Sequence, residues 1–322
     1  MKVKQRNLTL RTALIGLCTA AMVIGLTAGP IMAQDAKPQA KAAEPNPDNH
    51  GHGSLSEVGA KLANPLSDLW ALSMNFETPK FFDGDINTGN PRVGADMVFQ
   101  PVLPFPLYGS GKSELRLITR PVIPFIFSQP VPKGFNDFNH KGGIGDIQLP
   151  LLLNVPESKA GNWIIGGGPV FQFPTATTDA LGSNQWGLGP AVVFGYKTKA
   201  FTAALFPNYF WKIGSSGQDA GTPDLNKGSL LYALIFNLPD AWQVGMNPTI
   251  TYNQQASSGN KWNVPVGGFV GKTIKIGKVP VNIKVGLEYS VVSENDFGKR
   301  TAFRIQITPV IPGLVKNPIF GK

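Results

Sequence analysis

The feature that most constrains this chain is a strict two-residue alternation of apolar and polar side chains. It is held for about ten residues at a time and recurs about twelve times between residues 66 and 312. A period of two is the signature of a strand with two unlike faces, because successive side chains point to opposite sides. Residues 242–253 show it most cleanly: Trp242, Val244, Met246, Pro248, Ile250 and Tyr252 alternate with Gln243, Gly245, Asn247, Thr249, Thr251 and Asn253. Trp70, Leu72, Met74 and Phe76 likewise oppose Ala71, Ser73, Asn75 and Glu77. Val281, Ile283, Val285, Leu287 and Tyr289 oppose Asn282, Lys284, Gly286, Glu288 and Ser290, and Phe303, Ile305, Ile307 and Ile311 oppose Arg304, Gln306 and Thr308. The other strands are predicted over 92–103, 114–125, 144–154, 163–173, 187–196, 201–212, 229–238 and 262–271.

Alternation alone suits either a soluble sandwich or a membrane barrel. Three observations favour the barrel. Segments of about ten residues span a bilayer at the usual strand tilt. The connections alternate in length: 78–91, 126–143, 174–186, 213–228, 254–261 and 292–301 are long, whereas 104–113, 155–162, 197–200, 239–241 and 272–278 are mostly shorter. Long outer loops alternating with short inner turns mark a bacterial barrel and here place the N-terminus in the periplasm. Third, aromatics of the apolar parity fall at strand ends. Trp70, Trp163, Tyr196 and Trp242 form one expected girdle, and Tyr209, Trp211, Tyr252, Trp262 and Tyr289 the other. The expectation is an all-β, antiparallel up-and-down transmembrane barrel of about 12 strands over 66–312, a short N-terminal helix, a tail at 313–322, and residence in the outer membrane. Pro101, Pro121, Pro150, Pro169 and Pro309 lie within strands, where bulges are expected.

Composition agrees. Charged residues make up 15% of the chain, against roughly 25% in an ordinary soluble domain. Beyond residue 33 no run approaches the roughly 18 apolar residues of a membrane helix. The first 33 residues read as a signal peptide: Lys2, Lys4, Arg6 and Arg11, an apolar stretch from Leu14 to Leu26, then Ile31-Met32-Ala33 before cleavage at Gln34. An N-terminal membrane anchor and a lipoprotein signal at Cys18 are the alternatives, the latter disfavoured by the bulk of Leu17. Removing the four basic residues lowers the formal charge from +9 to +5, so no nucleic-acid partner is implied. Cys18 is the only cysteine, and the mature chain therefore has no thiolate chemistry.

Residues 34–53 read as a disordered periplasmic tether, in which His50 and His52 are polar linker rather than metal ligands. Residues 54–65 read as a short helix. Ser54 and Glu57 form a capping box, Leu55, Val58 and Leu62 share one face, and Asn64-Pro65 stops it. Too short to stand alone, it must dock, and the lumen side of the periplasmic mouth is the expected place, where it would act as a plug.

The polar parity offers the lumen-lining candidates Glu77, Asp96, Glu114, Arg116, Arg120, Asp146, Lys284, Glu288 and Arg304. They fall in two wall sectors, the second to fourth strands and the closing strands with the first. Opposite charges on neighbouring strands pair across about 5 Å. A structural salt-bridge network and a charged eyelet are both open readings. Gly166-Gly167-Gly168 lies within a strand, lacks a following Gly-Lys-Ser/Thr and reads as a bend or close approach, not a phosphate loop. Among the mature histidines, His50 and His52 lie in the tether and His140 in a predicted loop, so no Ser–His pair is evident. No enzyme activity, cofactor or metal is expected.

Gly168-Pro169, Phe173-Pro174-Thr175-Ala176-Thr177, Leu181-Gly182-Ser183 and Trp186-Gly187-Leu188-Gly189-Pro190 resemble a bacterial outer-membrane family labelled for the MetA pathway of phenol degradation. Its members are catalogued as transporters or as bacterial "neuromedin U". Leu62-Ala63-Asn64-Pro65, Arg120-Pro121-Val122-Ile123-Pro124 and Gly143-Ile144-Gly145-Asp146 resemble it too. The resemblance covers roughly residues 54 to 320 and implies a β-barrel with a proposed transport role, but no substrate. The expected function is a channel or transporter for small solutes, aromatic or hydrophobic ones included, whose partners are outer-membrane lipid, the barrel assembly machinery and an unidentified solute. The alternative is a structural or adhesive barrel with a plugged lumen.

Overall fold

The structure, a computed structural model, describes residues 53–216 and 223–321. The expected signal peptide at 1–33 and the tether at 34–52 lie outside the described residues. No described helix is long and apolar enough to cross a membrane.

Twelve antiparallel strands close into one barrel. They are β1 (Trp70–Gly84), β2 (Asn87–Tyr108), β3 (Leu115–Thr119 and Ile123–Gly134), β4 (Asp137–Ile144 and Ile147–Asn154), β5 (Trp163–Phe173) and β6 (Gln185–Lys197). The rest are β7 (Phe201–Ser215), β8 (Asn226–Asn237), β9 (Trp242–Met246 and Thr249–Asn253), β10 (Trp262–Ile276), β11 (Val279–Val292) and β12 (Gly298–Ile311). Each strand pairs with its neighbours in sequence, and β1 closes the sheet on β12, from Trp70 opposite Ile311 to Asp83 opposite Gly298. Closure leaves no strand edge to be satisfied by water, which a bilayer cannot supply. Below, the near rim is the end where β1 starts; the far rim is the opposite end.

The alternation selects the two faces as expected. Val192, Phe194, Leu205, Leu234, Val270, Val285, Leu287 and Phe303 are exposed on the outside, while Gln172, Thr202, Gln243, Asn282, Lys284, Glu288 and Thr308 are buried on the inside. Aromatic rings cluster at both rims: Trp163 packs on Phe194 and Tyr196 near one, Tyr209 on Trp211 and Tyr252 on Trp262 near the other. Trp70 departs from the expected girdle. It is buried, donates from Nε1 to Pro104 O at 3.1 Å and packs on Phe105. β2 overshoots the start of β1 there, and Ile319 and Phe320 of the tail hydrogen-bond to Pro106 O and Leu107 O.

Two long connections expected from the sequence are strand instead. β1 and β2 run on to a turn at 85–86, and β3 and β4 to a turn at 135–136, where Asn136 takes a positive φ of 58°. Each hairpin carries an irregularity, with pairing skipping between Glu77 and Lys80 in the first and between Ile126 and Gln129 in the second, so the alternation resumes with shifted parity and is lost to a simple count. Interruptions at 120–122, 145–146 and 247–248 break β3, β4 and β9; of the prolines where bulges are expected only Pro121 falls at one, whereas Pro101, Pro150, Pro169 and Pro309 lie in unbroken pairing.

Helix α1 (Leu55–Leu62) is capped by Ser54, whose Oγ accepts from Glu57 N at 3.2 Å. It packs against β8, β9, β10 and β11 from the inside.

Candidate functional site: the inner face of the barrel

The inner face divides into a charged half and an apolar half. The charged half lies on β1, β2, β11 and β12. Lys299 reaches Glu77 at 3.0 Å and Glu288 at 3.7 Å, while Arg304 pairs with Glu288 and approaches Glu77 at 3.7 Å. Two cations and two carboxylates from three strands thus form a closed ring. Beside it Lys80 pairs with Asp96, which sits directly across the ladder from Glu77. The interleaved cations Lys80 and Lys299 offset the repulsion between the facing carboxylates Glu77 and Asp96.

The apolar half spans β3 to β7. Ile118, Leu152, Ile164, Val170, Ala191, Val193, Phe206 and Phe210 form one buried cluster, completed by two leucines from outside the strands. Leu66 enters from the near rim, just after α1. Leu225 enters from the far rim, its N–H held by Gln185 Oε1 at 2.5 Å, while Gln185 Nε2 donates to Pro223 O at 3.2 Å. An inner wall this apolar is unlike the polar lumen of a water-filled porin.

Between the halves sits the N-terminal segment. Val58 and Leu62 pack on Leu69 and Val310, and Ala63 packs on Ala233, Ile235 and Phe269. Gly59 lies so close to β10 that a Cβ there would stand 2.8 Å from Thr273 Oγ1. Its carbonyl accepts from Gln243 Nε2 at 2.9 Å, and Gln243 is held in turn by Asn282 (3.1 Å) and Asn237 (2.8 Å). Arg120 donates to Pro65 O at 3.0 Å and lies over the Phe206 ring. The wall is therefore built to receive this segment. A cavity of about 930 Å³ opens beside it at the near rim, bordered by Lys61, Lys112, Arg116, Lys197 and Lys199 and ending on Leu66 and Ile164.

The nine charged residues singled out from sequence do not share one site. Glu77, Glu288 and Arg304 share the ring, and Asp96 stands next to it. Lys284 lies on the same half, with its ammonium 4.6 Å from the Phe269 ring. Glu114 and Arg116 pair with each other at the near rim, apart from Asp96. Arg120 holds the N-terminal segment. Asp146 accepts from Ala176 N, Ser183 N, Ser183 Oγ and Gln172 Nε2, and so fastens the β5–β6 connection to β4. Lys80 and Lys299 escaped sequence reasoning because they fall in stretches read as loops. Gln243 and Asn282 were visible only as polar-parity residues. Leu66 and Leu225 belong to no alternating segment.

No family model matches the chain, and no curated protein does. The resemblance to the phenol-degradation family therefore rests on the quoted motifs alone. Solved structures do match. An outer-membrane channel from Pseudomonas putida F1 superposes with a TM-score of 0.58 at 12% identity, over 77% of this chain and 97% of that one. The NanC porin gives 0.44 at 12% identity, over 75% and 99%. The protein thus has the closed β-barrel fold of an outer-membrane protein. Outer membrane phospholipase A from Escherichia coli also matches, with a TM-score of 0.39 at 11% identity over 79% of this chain and 98% of that one. An enzyme is thus among the structures the chain matches, so the expectation that it is not an enzyme does not stand and enzyme status is not established. The expectation that the chain lacks a Ser–His pair is corrected by the structure as well: His140 lies on β4 rather than in a loop, and its Nδ1 stands 2.7 Å from Ser128 Oγ on β3.

Proposed function

We propose that the protein is an outer-membrane channel for small solutes with an apolar or aromatic body, held closed in this state by its N-terminal segment. The observation that carries the reading is the near-rim cavity of about 930 Å³, whose lining includes Leu66 and Ile164 of the apolar inner wall. A solute with an apolar body gains from such a wall, whereas a sugar would forfeit hydrogen bonds there. The lumen-lining charges Glu77, Asp96, Lys284, Glu288 and Arg304 set a field along the opposite half. In this reading residues 1–33 are removed as a signal, 34–53 tether the plug, the near rim is periplasmic, and the barrel assembly machinery inserts the chain.

The test is single-channel recording of the full mature chain in planar bilayers, with solute uptake into proteoliposomes. Intermittent opening, together with faster uptake of small aromatic solutes than of sugars of equal size, is the expected result. A silent, impermeable barrel of verified fold would instead favour a structural barrel with a permanently filled lumen, a reading supported by the insertion of Leu66 and Leu225 from both ends.

A further inference from the structure

The wall has a breach between β9 and β10. Their ladder stops at Gly245 opposite Phe269 and resumes only at Thr251 opposite Asn263, leaving five residues on each strand unpaired across the gap. Pro248 stands in it, and the Pro265 carbonyl is satisfied not by β9 but by the Tyr232 hydroxyl at 2.7 Å. Backbone groups without ladder partners at mid-barrel are costly in a membrane and need another partner.

Behind the breach lies a small cavity of about 20 Å³, bordered by Asn247, Gly268, Phe269, Lys284, Glu288 and Arg304. That volume admits one particle of about the size of a water molecule. Lys284 is 5% exposed, and its ammonium makes no ion pair or hydrogen bond among the described residues. Glu288 cannot serve it, being engaged by Arg304 and Lys299. In this half of the lumen three carboxylates (Glu77, Asp96, Glu288) face four cations (Lys80, Lys284, Lys299, Arg304), and Lys284 is the one left over. A buried, unpaired ammonium is expensive unless an opposite charge joins it. The cavity's size excludes a carboxylate-bearing organic solute, and its charge excludes a cation.

We infer that this cavity is a binding site for one small inorganic anion of the halide class, held by the Lys284 ammonium and by backbone left unpaired in the breach. The bound ion neutralises the lysine and fills the gap in the wall, independently of what the channel carries.

The test uses the full mature protein in detergent. Crystals grown with bromide in place of chloride should show one anomalous peak in the cavity at hydrogen-bonding range of Lys284. Lys284→Met should remove the peak and weaken any halide dependence of melting at least about tenfold in half-saturating concentration. Exchange of chloride for gluconate should lower the melting temperature of the wild type alone. A wild-type cavity without a bromide peak overturns the inference and assigns the space to water. Because that measurement needs no variant, misfolding of Lys284→Met cannot obscure the answer.

Discussion

Val58→Asp should unseat the N-terminal segment while leaving the barrel whole. Val58 has 0% of its surface exposed and packs on Leu69 and Val310, so removing its isopropyl group from that site forfeits about 2 kcal/mol of burial. Placing an unpartnered polar group there adds about 1–3 kcal/mol. The sum, about 4 kcal/mol, lowers the ratio of docked to undocked segment by roughly a factor of 10³. The Gln243–Gly59 and Arg120–Pro65 hydrogen bonds remain available but are too few to offset it. In planar bilayers the variant should show a large rise in open probability. Ser56→Asp, on the exposed side of the same helix, should behave as wild type. Heat-modifiable electrophoretic mobility confirms an intact barrel in each case. If Val58→Asp conducts no more than the wild type while its barrel is intact, α1 is not what closes the lumen.

Three further outcomes follow from the geometry. Leu287, 55% exposed on the outer face, should tolerate Ser far better than Arg, with Leu287→Arg costing roughly 2–4 kcal/mol in reversible unfolding from bilayers. A double-mutant cycle between Glu288→Gln and Arg304→Met should give a coupling of about 0.5–3 kcal/mol, and additivity would mean the ring is not a cooperative unit. Asp146→Ala removes the acceptor of four hydrogen bonds and should expose the 174–184 connection to proteolysis and hydrogen exchange; unchanged protection would show that the connection is held by other contacts.

The strands were legible because a wall one residue-layer thick, with unlike solvents on its two sides, writes its period directly into the chain. All twelve alternating segments are strands. Their ends were not legible, because the bulge after Glu77 shifts parity, so that Lys80 and Phe82 read as loop. Charges could be assigned to the inner face, yet not to their tasks. Asp146 looks identical in sequence to a lumen-lining carboxylate, and only its contacts with residues 26–37 positions away reveal a fastening. Ser290, on the polar parity, is 2% exposed and bonded to Asn263, so the inner face there is filled rather than open. Leu66 and Leu225 enter the interior from segments with no period at all. What fills a tube is not encoded in the pattern of its wall.

The overlong strands on one side also shape the mouth. β2 has 22 residues, whereas β5, three strands further round the wall, has 11. At about 3.3 Å per residue and a tilt near 40°, β2 rises about 50 Å along the barrel axis and β5 about 25 Å, close to the height of the apolar band. The barrel is therefore cut obliquely, like a quill. The low side matches the height of an apolar band, and the tall side overshoots it at both rims. A solute diffusing in bulk water meets the tall side as a screen and the low side as an open slope. On the channel reading, capture is then directional, and a particle sliding along the membrane surface toward the low side reaches the opening without leaving the interface.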